Sequence, residues 1–209
     1  MNKKINEEKS KKINEQKLKE IGEEIRKGKI AIFPTETVYG IGTNGLNQEG
    51  IKKLFDIKKR PKEKPISLLV NSIEMIEKVA KITKEEKMII EKFFPGPLTL
   101  IVEKKEIVPD ILTSDKKTVG IRMPDDEIAL KLIKYANTPI ATSSANISGK
   151  ENNTNIIDIK KEFKEKVDYY IDGGKSKIGI GSTIVKIENK KPNILRQGTI
   201  NKEEIMILF

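Results

Sequence analysis

The chain has 209 residues and a formal net charge of +10, and it contains neither cysteine nor histidine. These absences exclude a disulfide framework, a Cys nucleophile, a Ser-His-Asp triad and the usual kinds of zinc site. Any chemistry must therefore use charged side chains, hydroxyls, amides and backbone N–H groups. No apolar run reaches the ~18 residues of a membrane span, and the N-terminal sequence MNKKINEEKS lacks the apolar stretch of a signal peptide. We therefore expect a cytoplasmic protein.

The excess of lysine has two interpretations. A basic surface is typical of nucleic-acid binding. Lys, Ile and Asn are, however, abundant throughout the chain, as an AT-rich genome would produce. We expect most of the extra lysines to lie on a solvated surface, with a polyanionic partner as the alternative.

The first 28 residues consist almost entirely of Lys, Glu, Asn, Ile and Gln. The spacing of Leu18, Ile21 and Ile25 predicts an amphipathic helix in the second half of this segment, and Gly28 is a plausible end for it. Residues 1–17 are interpreted as a charged, helical N-terminal extension, and residues 18–209 as one domain.

Strands and helices alternate irregularly along the rest of the chain. The helical spacing is found in GIKKLFDIKK, SIEMIEKVAK, KEEKMIIEKFF and EIALKLIKYA. Short apolar runs predict strands in PISLLV, LTLIVEKK, TVGIRMP, PIATS, VDYYI, STIVKIE and NILR, whereas KIAIF is expected to lead into an irregular, Thr-rich loop. No repeat or Ser/Gly linker divides the chain. A single α/β domain with a mixed sheet is the economical interpretation.

The stretch IFPTETVYGIGTNG contains Gly40, Gly42 and Gly45 in the spacing G-x-G-x-x-G, which is typical of dinucleotide-binding turns. Such a turn needs a strand that enters the glycines directly and a helix that begins at the third one. Here a proline and two threonines interrupt the approach, and the next helix is expected to begin near Asn47. We therefore expect no nicotinamide cofactor, and we interpret the glycines as a place where the chain turns away.

Cationic and polar side chains lie at the ends of several predicted elements. Lys58 and Arg60 lie at a helix end, where they either complement the helix C-terminus or form a fixed pair of cations for phosphates. Arg122 lies in an apolar strand, so a carboxylate of the protein or of a ligand is its expected partner. TSSANISG (142–149) and the Ser182 region add hydroxyls and an amide beside strands, as plain turns or as ligand loops. Together these segments favour a pocket for an anionic, nucleotide-like ligand and a small polar substrate.

The segments PTETVYGIG, K-x-R-P-x-x-x-P, PGPLTLIV, TVGIRMP, SSANISG and GSTIVKI occur in this order. They resemble the YrdC family, the L-threonylcarbamoyladenylate synthases, over roughly residues 18–200. The resemblance implies a single-domain α/β fold with a twisted, open, mixed sheet that is flanked by helices and has a large basic concave face. Because the chain ends at Phe209, it resembles the short, single-domain branch of this family.

The resemblance also implies an activity. L-Threonine, bicarbonate and ATP would condense into threonylcarbamoyl-AMP with release of pyrophosphate, the first step of threonylcarbamoyladenosine modification of tRNA. ATP is then a substrate accompanied by Mg²⁺, without zinc and without dedicated protein ligands for a metal. Further candidate partners are tRNA and the threonylcarbamoyl-transfer complex, and no membrane is involved. Such chemistry needs positioning and charge neutralisation more than a protein nucleophile, which agrees with the composition.

Motif by motif, the resemblance assigns three sets of residues. The catalytic set is Lys58, Arg60, Ser144 and Asn146. The ATP-binding set is Lys58, Arg60, Lys64, Thr118, Asn146, Thr154 and Arg196. The threonine-binding set is Thr37, Tyr39, Arg122, Ser144 and Ser182, with Arg122 expected to bind the carboxylate.

The chain departs from the family pattern at two places. Leu69 stands where some members have His, so one polar contact to threonine is expected to be missing. Residues 151–154 replace the common Pro-Ser-Pro-Thr, which blurs the alignment of Thr154. The main competing interpretation is a non-catalytic YrdC-like module that binds RNA or tRNA, because a fold alone does not determine a function. A carbamoyl-transfer domain of a hydrogenase maturation protein is disfavoured, since that protein carries Cys-rich zinc motifs.

Overall fold

The computed structural model describes residues 14–151 and 155–209. Its helices are α1 (Glu15–Arg26), α2 (Gln48–Lys58), α3 (Ile73–Val79), α4 (Lys84–Phe93), α5 (Asp110–Thr113), α6 (Glu127–Ala136), α7 (Ile156–Phe163) and α8 (Lys202–Met206). Its strands are β1 (Ala31–Phe33), β2 (Gly40–Asn44), β3 (Ser67–Leu69), β4 (Ala80–Lys81), β5 (Leu98–Lys104), β6 (Thr118–Arg122), β7 (Ile140–Ser144), β8 (Tyr169–Tyr170), β9 (Thr183–Glu188) and β10 (Lys191–Arg196).

All ten strands belong to one sheet, in the order β10-β9-β5-β6-β3-β7-β2-β1-β8, with β4 paired to β5 beside this path. The pairs β5/β9, β3/β6 and β1/β8 are parallel, and the other neighbours are antiparallel. The predicted α/β fold with a mixed, open sheet is therefore confirmed. In the described part of the chain, no helix has the length and apolarity needed to span a bilayer.

Helix α1 forms where the sequence predicts it. The Asn14 side chain accepts a hydrogen bond from the backbone of Gln16 at its start, and Gly28 adopts a φ of +95° just beyond its end. Its apolar face is buried, and it packs against α6 so closely that a Cβ at Gly22 would lie 2.5 Å from the Cβ of Tyr135. The helix spans the position at which the extension was expected to end. Residues 1–13 of that extension lie outside the described part of the chain.

Helix α2 determines where the basic pair lies. The Asn47 side chain caps its first turn by accepting from the Gly50 backbone N–H, in agreement with the predicted start. The helix ends at Lys58 because Lys59 adopts a left-handed conformation, with φ 49°. Lys58 thus lies on the buried face of the last turn, and Arg60 lies in the loop that follows.

The prediction of an irregular loop after β1 is wrong for the second half of that segment. Residues Gly40–Asn44 form β2, an inner strand that pairs antiparallel with β1 and β7. The glycines serve close packing here, because a Cβ at Gly42 would lie 2.7 Å from the carbonyl oxygen of Ala141. They therefore do not turn the chain away. Since Gly40 and Gly42 are strand residues and α2 begins only at Gln48, this is not the turn of a dinucleotide site.

Candidate active site

A cavity of about 200 Å³ opens on one face of the sheet. Strand register explains why its side chains converge. Leu69 of β3 lies directly opposite Arg122 of β6, and Thr99 of β5 lies directly opposite Ile184 of β9. Residues paired across strands point to the same face of a sheet, and all four line the cavity. The site is therefore assembled across the sheet rather than by one loop.

Arg122 is buried, with 7% of its surface exposed, and three groups of the protein contact its guanidinium. Its Nε donates to the carbonyl oxygen of Gly96 at 3.2 Å, and its Nη1 donates to the Thr37 hydroxyl at 2.9 Å. Its Nη2 lies 2.6 Å from a carboxylate oxygen of Glu36, which is equally buried. The carboxylate partner expected for this strand arginine is thus a protein group.

Thr37 and Tyr39 line the cavity from the segment between β1 and β2. The Thr37 hydroxyl lies 2.9 Å from that of Thr35, which joins it to the network of Arg122. The Tyr39 hydroxyl donates to the carbonyl oxygen of Gly174 at 2.6 Å and accepts from the Gly173 N–H at 3.1 Å. Burial raises the pKa of Tyr39 to about 12, so this phenol stays neutral near pH 7.

Ser182 lies where β9 begins, and its hydroxyl is 2.7 Å from that of Thr99. Arg196, at the end of β10, donates from Nη2 to the Ser182 carbonyl oxygen at 2.6 Å and to its hydroxyl at 3.2 Å. Burial of its guanidinium, and secondly the positive charge of Arg122, lower the pKa of Arg196. The two guanidinium groups therefore act on the same region of the pocket.

Arg60 also lines the cavity. Its Nε donates to the carbonyl oxygen of Lys64 at 2.9 Å, and its Nη2 donates to that of Pro65 at 2.8 Å. These bonds close residues 60–65 into a ring around the guanidinium. The Lys64 side chain itself is exposed and contributes nothing to the cavity wall.

Lys58 is enclosed beneath the pocket, with 1% of its surface exposed. Its ammonium donates to the carbonyl oxygens of Ser144 and Asn146, both at 2.5 Å. The Ser144 hydroxyl in turn donates to the side-chain oxygen of Asn146 at 2.6 Å. Burial, and secondly the charge of Arg60, lower the pKa of Lys58 to about 7. The side chain therefore holds the loop after β7 from below.

Among the described residues, the cavity wall contains seven of the predicted site residues: Thr37, Tyr39, Arg60, Arg122, Ser144, Ser182 and Arg196. Lys58, Lys64, Thr118 and Asn146 are not part of the wall. Thr118 begins β6 and Arg122 ends it, so the two are separated by roughly 13 Å along the strand. Thr154 lies outside the described residues. Leu69 lines the cavity, so the position at which some members of the resembled family carry His is apolar here.

Two residues with a direct role in this network were missed by the sequence reasoning. Thr99 is the hydroxyl-bearing residue of PGPLTLIV, between Leu98 and Leu100, which are both fully buried. Glu36 stands between Thr35 and Thr37 in PTETVYG, and its charge, the one formal charge of this motif, was a usable signal.

The described cavity wall contains three guanidinium groups and no carboxylate. Glu36 lies outside the wall and is paired with one of them. Such a wall favours a ligand with more than one negative charge. No group of three or more acidic residues that could hold a metal ion occurs in the described part of the chain.

Comparisons with known proteins identify the family to which this chain is similar. The Sua5/YciO/YrdC family model, described as "Telomere recombination", matches residues 23–198. The threonylcarbamoyl-AMP synthase of Pyrococcus abyssi is 44% identical over 182 residues, which are 87% of this chain and 54% of that protein. The synthase of Bacillus subtilis is 37% identical over 183 residues, 87% of this chain and 53% of that protein. The chain thus spans about half the length of these two synthases.

Solved structures of similar proteins align with most of this chain. The crystal structure of Pyrococcus abyssi Sua5 complexed with L-threonine aligns with a TM-score of 0.91 and 42% identity, over 95% of this chain and 58% of that one. Escherichia coli YciO aligns with a TM-score of 0.83 over 92% of this chain and 94% of that one. Because the two sequences are only 22% identical, this alignment shows a shared fold and nothing more.

Proposed function

The chain belongs to the Sua5/YciO/YrdC family, and we propose that it synthesises L-threonylcarbamoyladenylate from L-threonine, bicarbonate and ATP with release of pyrophosphate. The observation that carries this proposal is the polar cavity with three guanidinium groups and no carboxylate in its described wall. That wall suits substrates that bring a carboxylate, a carbonate-derived group and a triphosphate. Further support comes from the relative whose structure holds L-threonine.

L-Threonine is proposed to occupy the enclosed part of the cavity. Its volume of about 200 Å³ is below the ~300–1,000 Å³ of pockets for drug-sized ligands, so it suits an amino acid better than a nucleotide. Arg122 donates from Nε to Gly96 and from Nη1 to Thr37, while its buried Nη2 faces Glu36. The second N–H of Nη1 is therefore proposed to donate to the substrate carboxylate. Thr37, Ser144 and Ser182 supply hydroxyls, and the Tyr39 ring closes the wall.

ATP, as its Mg²⁺ complex, is proposed to bind toward Arg60 and Arg196. The threonine amine adds to the carbon of bicarbonate, and water leaves to give a carbamate. A carbamate oxygen then attacks the α-phosphorus, and the bond to the bridging oxygen breaks to release pyrophosphate. Negative charge grows on the phosphate oxygens in this step, and fixed guanidinium groups stabilise it without reorganising. No side chain has to act as a nucleophile.

Lys58 and Asn146 are proposed to act on this reaction by different routes. Lys58 is a positioning residue, because its two bonds fix the carbonyl oxygens of the loop that carries Ser144 and Asn146. The Asn146 amide donates to the carbonyl oxygen of Lys150, and its side-chain oxygen orients the Ser144 hydroxyl. Lys58 and Asn146 are thus proposed to fix the position and orientation of the Ser144 hydroxyl toward the substrates. Thr118, Lys64 and Thr154 remain candidates for outer contacts with ATP.

The deciding experiment measures pyrophosphate release by the purified protein with Mg²⁺, ATP, L-threonine and bicarbonate. Release should require all three substrates, and mass spectrometry should identify threonylcarbamoyl-AMP. Omission of L-threonine and omission of bicarbonate are the two controls. Release that is independent of threonine, or no release at all, would refute the proposed activity.

The binding-module interpretation has its own support in the net charge of +10. It predicts tight tRNA binding that weakens steeply with salt and no threonine-dependent pyrophosphate release. A synthase that hands its product to a tRNA-bound transfer complex would show both activities. Binding measured at several salt concentrations, alongside the pyrophosphate assay, separates these cases.

A further inference from the structure

A buried ion pair lies behind the candidate threonine pocket. Glu36 is 5% exposed and Arg122 is 7% exposed, and their charged groups are 2.6 Å apart. Within the described part of the chain, neither oxygen of the Glu36 carboxylate accepts a hydrogen bond of good geometry. Arg122 is therefore the group that compensates this buried charge. Glu36 itself does not line the cavity, whereas Arg122 and Thr37 do.

Two backbone hydrogen bonds anchor the segment that carries Glu36. The Glu36 carbonyl oxygen accepts from the Ile178 N–H at 2.9 Å, and that of Thr37 accepts from the Gly179 N–H at 2.7 Å. The segment that precedes β9 thus fixes this short stretch of chain from one side. Because both side chains are buried and the backbone of Glu36 is anchored, the Glu36 carboxylate and the Arg122 guanidinium are held beside each other.

Buried ion pairs are frequently no more stabilising than well-packed apolar side chains of similar volume. Stability alone is thus a weak explanation for a buried ion pair at this place. The effect of the ion pair on the pocket is more specific, because Glu36 contacts one end of the Arg122 guanidinium while Thr37 and Gly96 contact the rest. The pair also cancels the charge of Arg122. The uncompensated cations of the described wall are then Arg60 and Arg196.

We propose that Glu36 is a positioning residue for threonine recognition: it fixes Arg122, and with it the Thr37 hydroxyl, in the arrangement that receives the substrate carboxylate. This inference rests on the proposed synthase activity. The pair makes recognition of the carboxylate a matter of directed hydrogen bonds from Arg122. The excess positive charge of the described wall then belongs to Arg60 and Arg196, which are proposed to face the phosphates.

The test is Glu36→Gln, which keeps the size of the side chain and removes its charge. Threonine affinity, measured directly by calorimetry, should fall at least tenfold, and the KM for threonine should rise in parallel. The KM for ATP should stay within twofold of the wild-type value, and kcat should fall less than the threonine affinity does. A purely structural role would lower the melting temperature without this selective loss.

Two further variants keep the test decisive. Glu86→Gln removes a carboxylate of similar burial, 7% exposed, from the capping box of α4, and it should leave threonine affinity unchanged. Glu36→Asp keeps the charge but shortens the side chain, so it should also weaken threonine binding, and it serves if Glu36→Gln does not fold. Combined with Arg122→Lys, Glu36→Gln should add little further loss, because both changes disturb the same contact.

The outcomes separate the two claims. Wild-type protein that binds threonine while Glu36→Gln and Glu36→Asp bind it equally well would overturn the positioning role and leave the synthase proposal intact. Equal losses for threonine and ATP would overturn the positioning role as well. Wild-type protein that neither binds threonine nor releases pyrophosphate would overturn both.

Discussion

The stability of this protein should depend on pH through a single buried lysine. The pKa of Lys58 is lowered from 10.5 to about 7, chiefly by burial. Between these two values the unfolded chain keeps a proton on this lysine while the folded protein has released it. Stability must therefore rise with pH in this window and is lowest below about pH 7.

The expected size follows from the same two pKa values. Each pH unit inside the window contributes about 1.4 kcal/mol, so the free energy of unfolding should rise by roughly 2 kcal/mol between pH 6.5 and pH 8.5. The chain has no histidine or cysteine to mask this effect. Apart from the α-amino group, no other ordinary titration falls in the range. The neutral amine still has two N–H groups, one for each of the two carbonyl oxygens it contacts.

Urea denaturation at closely spaced pH values measures this slope. Lys58→Met should remove it, and Lys53→Met, which changes an exposed lysine of the same helix, should retain it. Lys58→Met should also be less stable at pH 8.5, because two carbonyl oxygens lose their donor at a cost of roughly 1–3 kcal/mol each. Parallel stability curves for wild-type protein and Lys58→Met would show that the pKa of Lys58 is not lowered, and would refute the predicted pH dependence.

Three further substitutions test the proposed site. Arg60→Ala should reduce turnover on the order of 10²-fold or more in the pyrophosphate assay, because a fixed cation is lost where charge develops; Lys62→Ala, in the same loop, should not. Arg122→Ala should weaken threonine binding at least about tenfold and lower the free energy of unfolding by roughly 3–5 kcal/mol, since Glu36 loses its compensating charge; unchanged affinity in calorimetry would refute its carboxylate role. Thr99→Val should raise the KM for threonine by a factor of about 2–10, the loss of one hydrogen bond, and an unaltered KM would show that Ser182 does not need this partner.

Much of the fold follows from local pattern. The helix that ends at Lys58 and the strands that carry Arg122 and Ser144 have clear periodicity and clear end signals, so their positions were predictable. Strand β2 was not, because its sequence GIGTN has few of the branched residues that favour strands. Its glycines are explained only by the neighbouring strand, where Thr142 leaves no room for a Cβ at Gly40.

The site was predictable as a set of motifs but not as a geometry. Arg122 was expected to need a carboxylate, yet the sequence could not say that Glu36, 86 positions earlier, supplies it. Lys58 and Arg60 look equivalent in sequence, and both were assigned to phosphates. Burial separates them, because the helix directs Lys58 beneath the loop after β7 while Arg60 lines the cavity. Such differences depend on contacts between distant strands.

The parallel pairing of β9 with β5 has a consequence for how the protein is made. Ser182 and Arg196 come about sixty residues or more after the other guanidinium groups of the described pocket wall, Arg60 and Arg122, in the chain. A ribosome-bound chain therefore completes this pocket only after residues 182–196 have emerged and β9 has inserted beside β5. Until then the part of the β5 edge that later pairs with β9 is open to pairing with other strands. The pairing of β9 with β5 therefore covers this edge and completes the pocket in one folding event. A nascent chain whose β5 edge is covered by β9 also has Ser182 in place at the pocket.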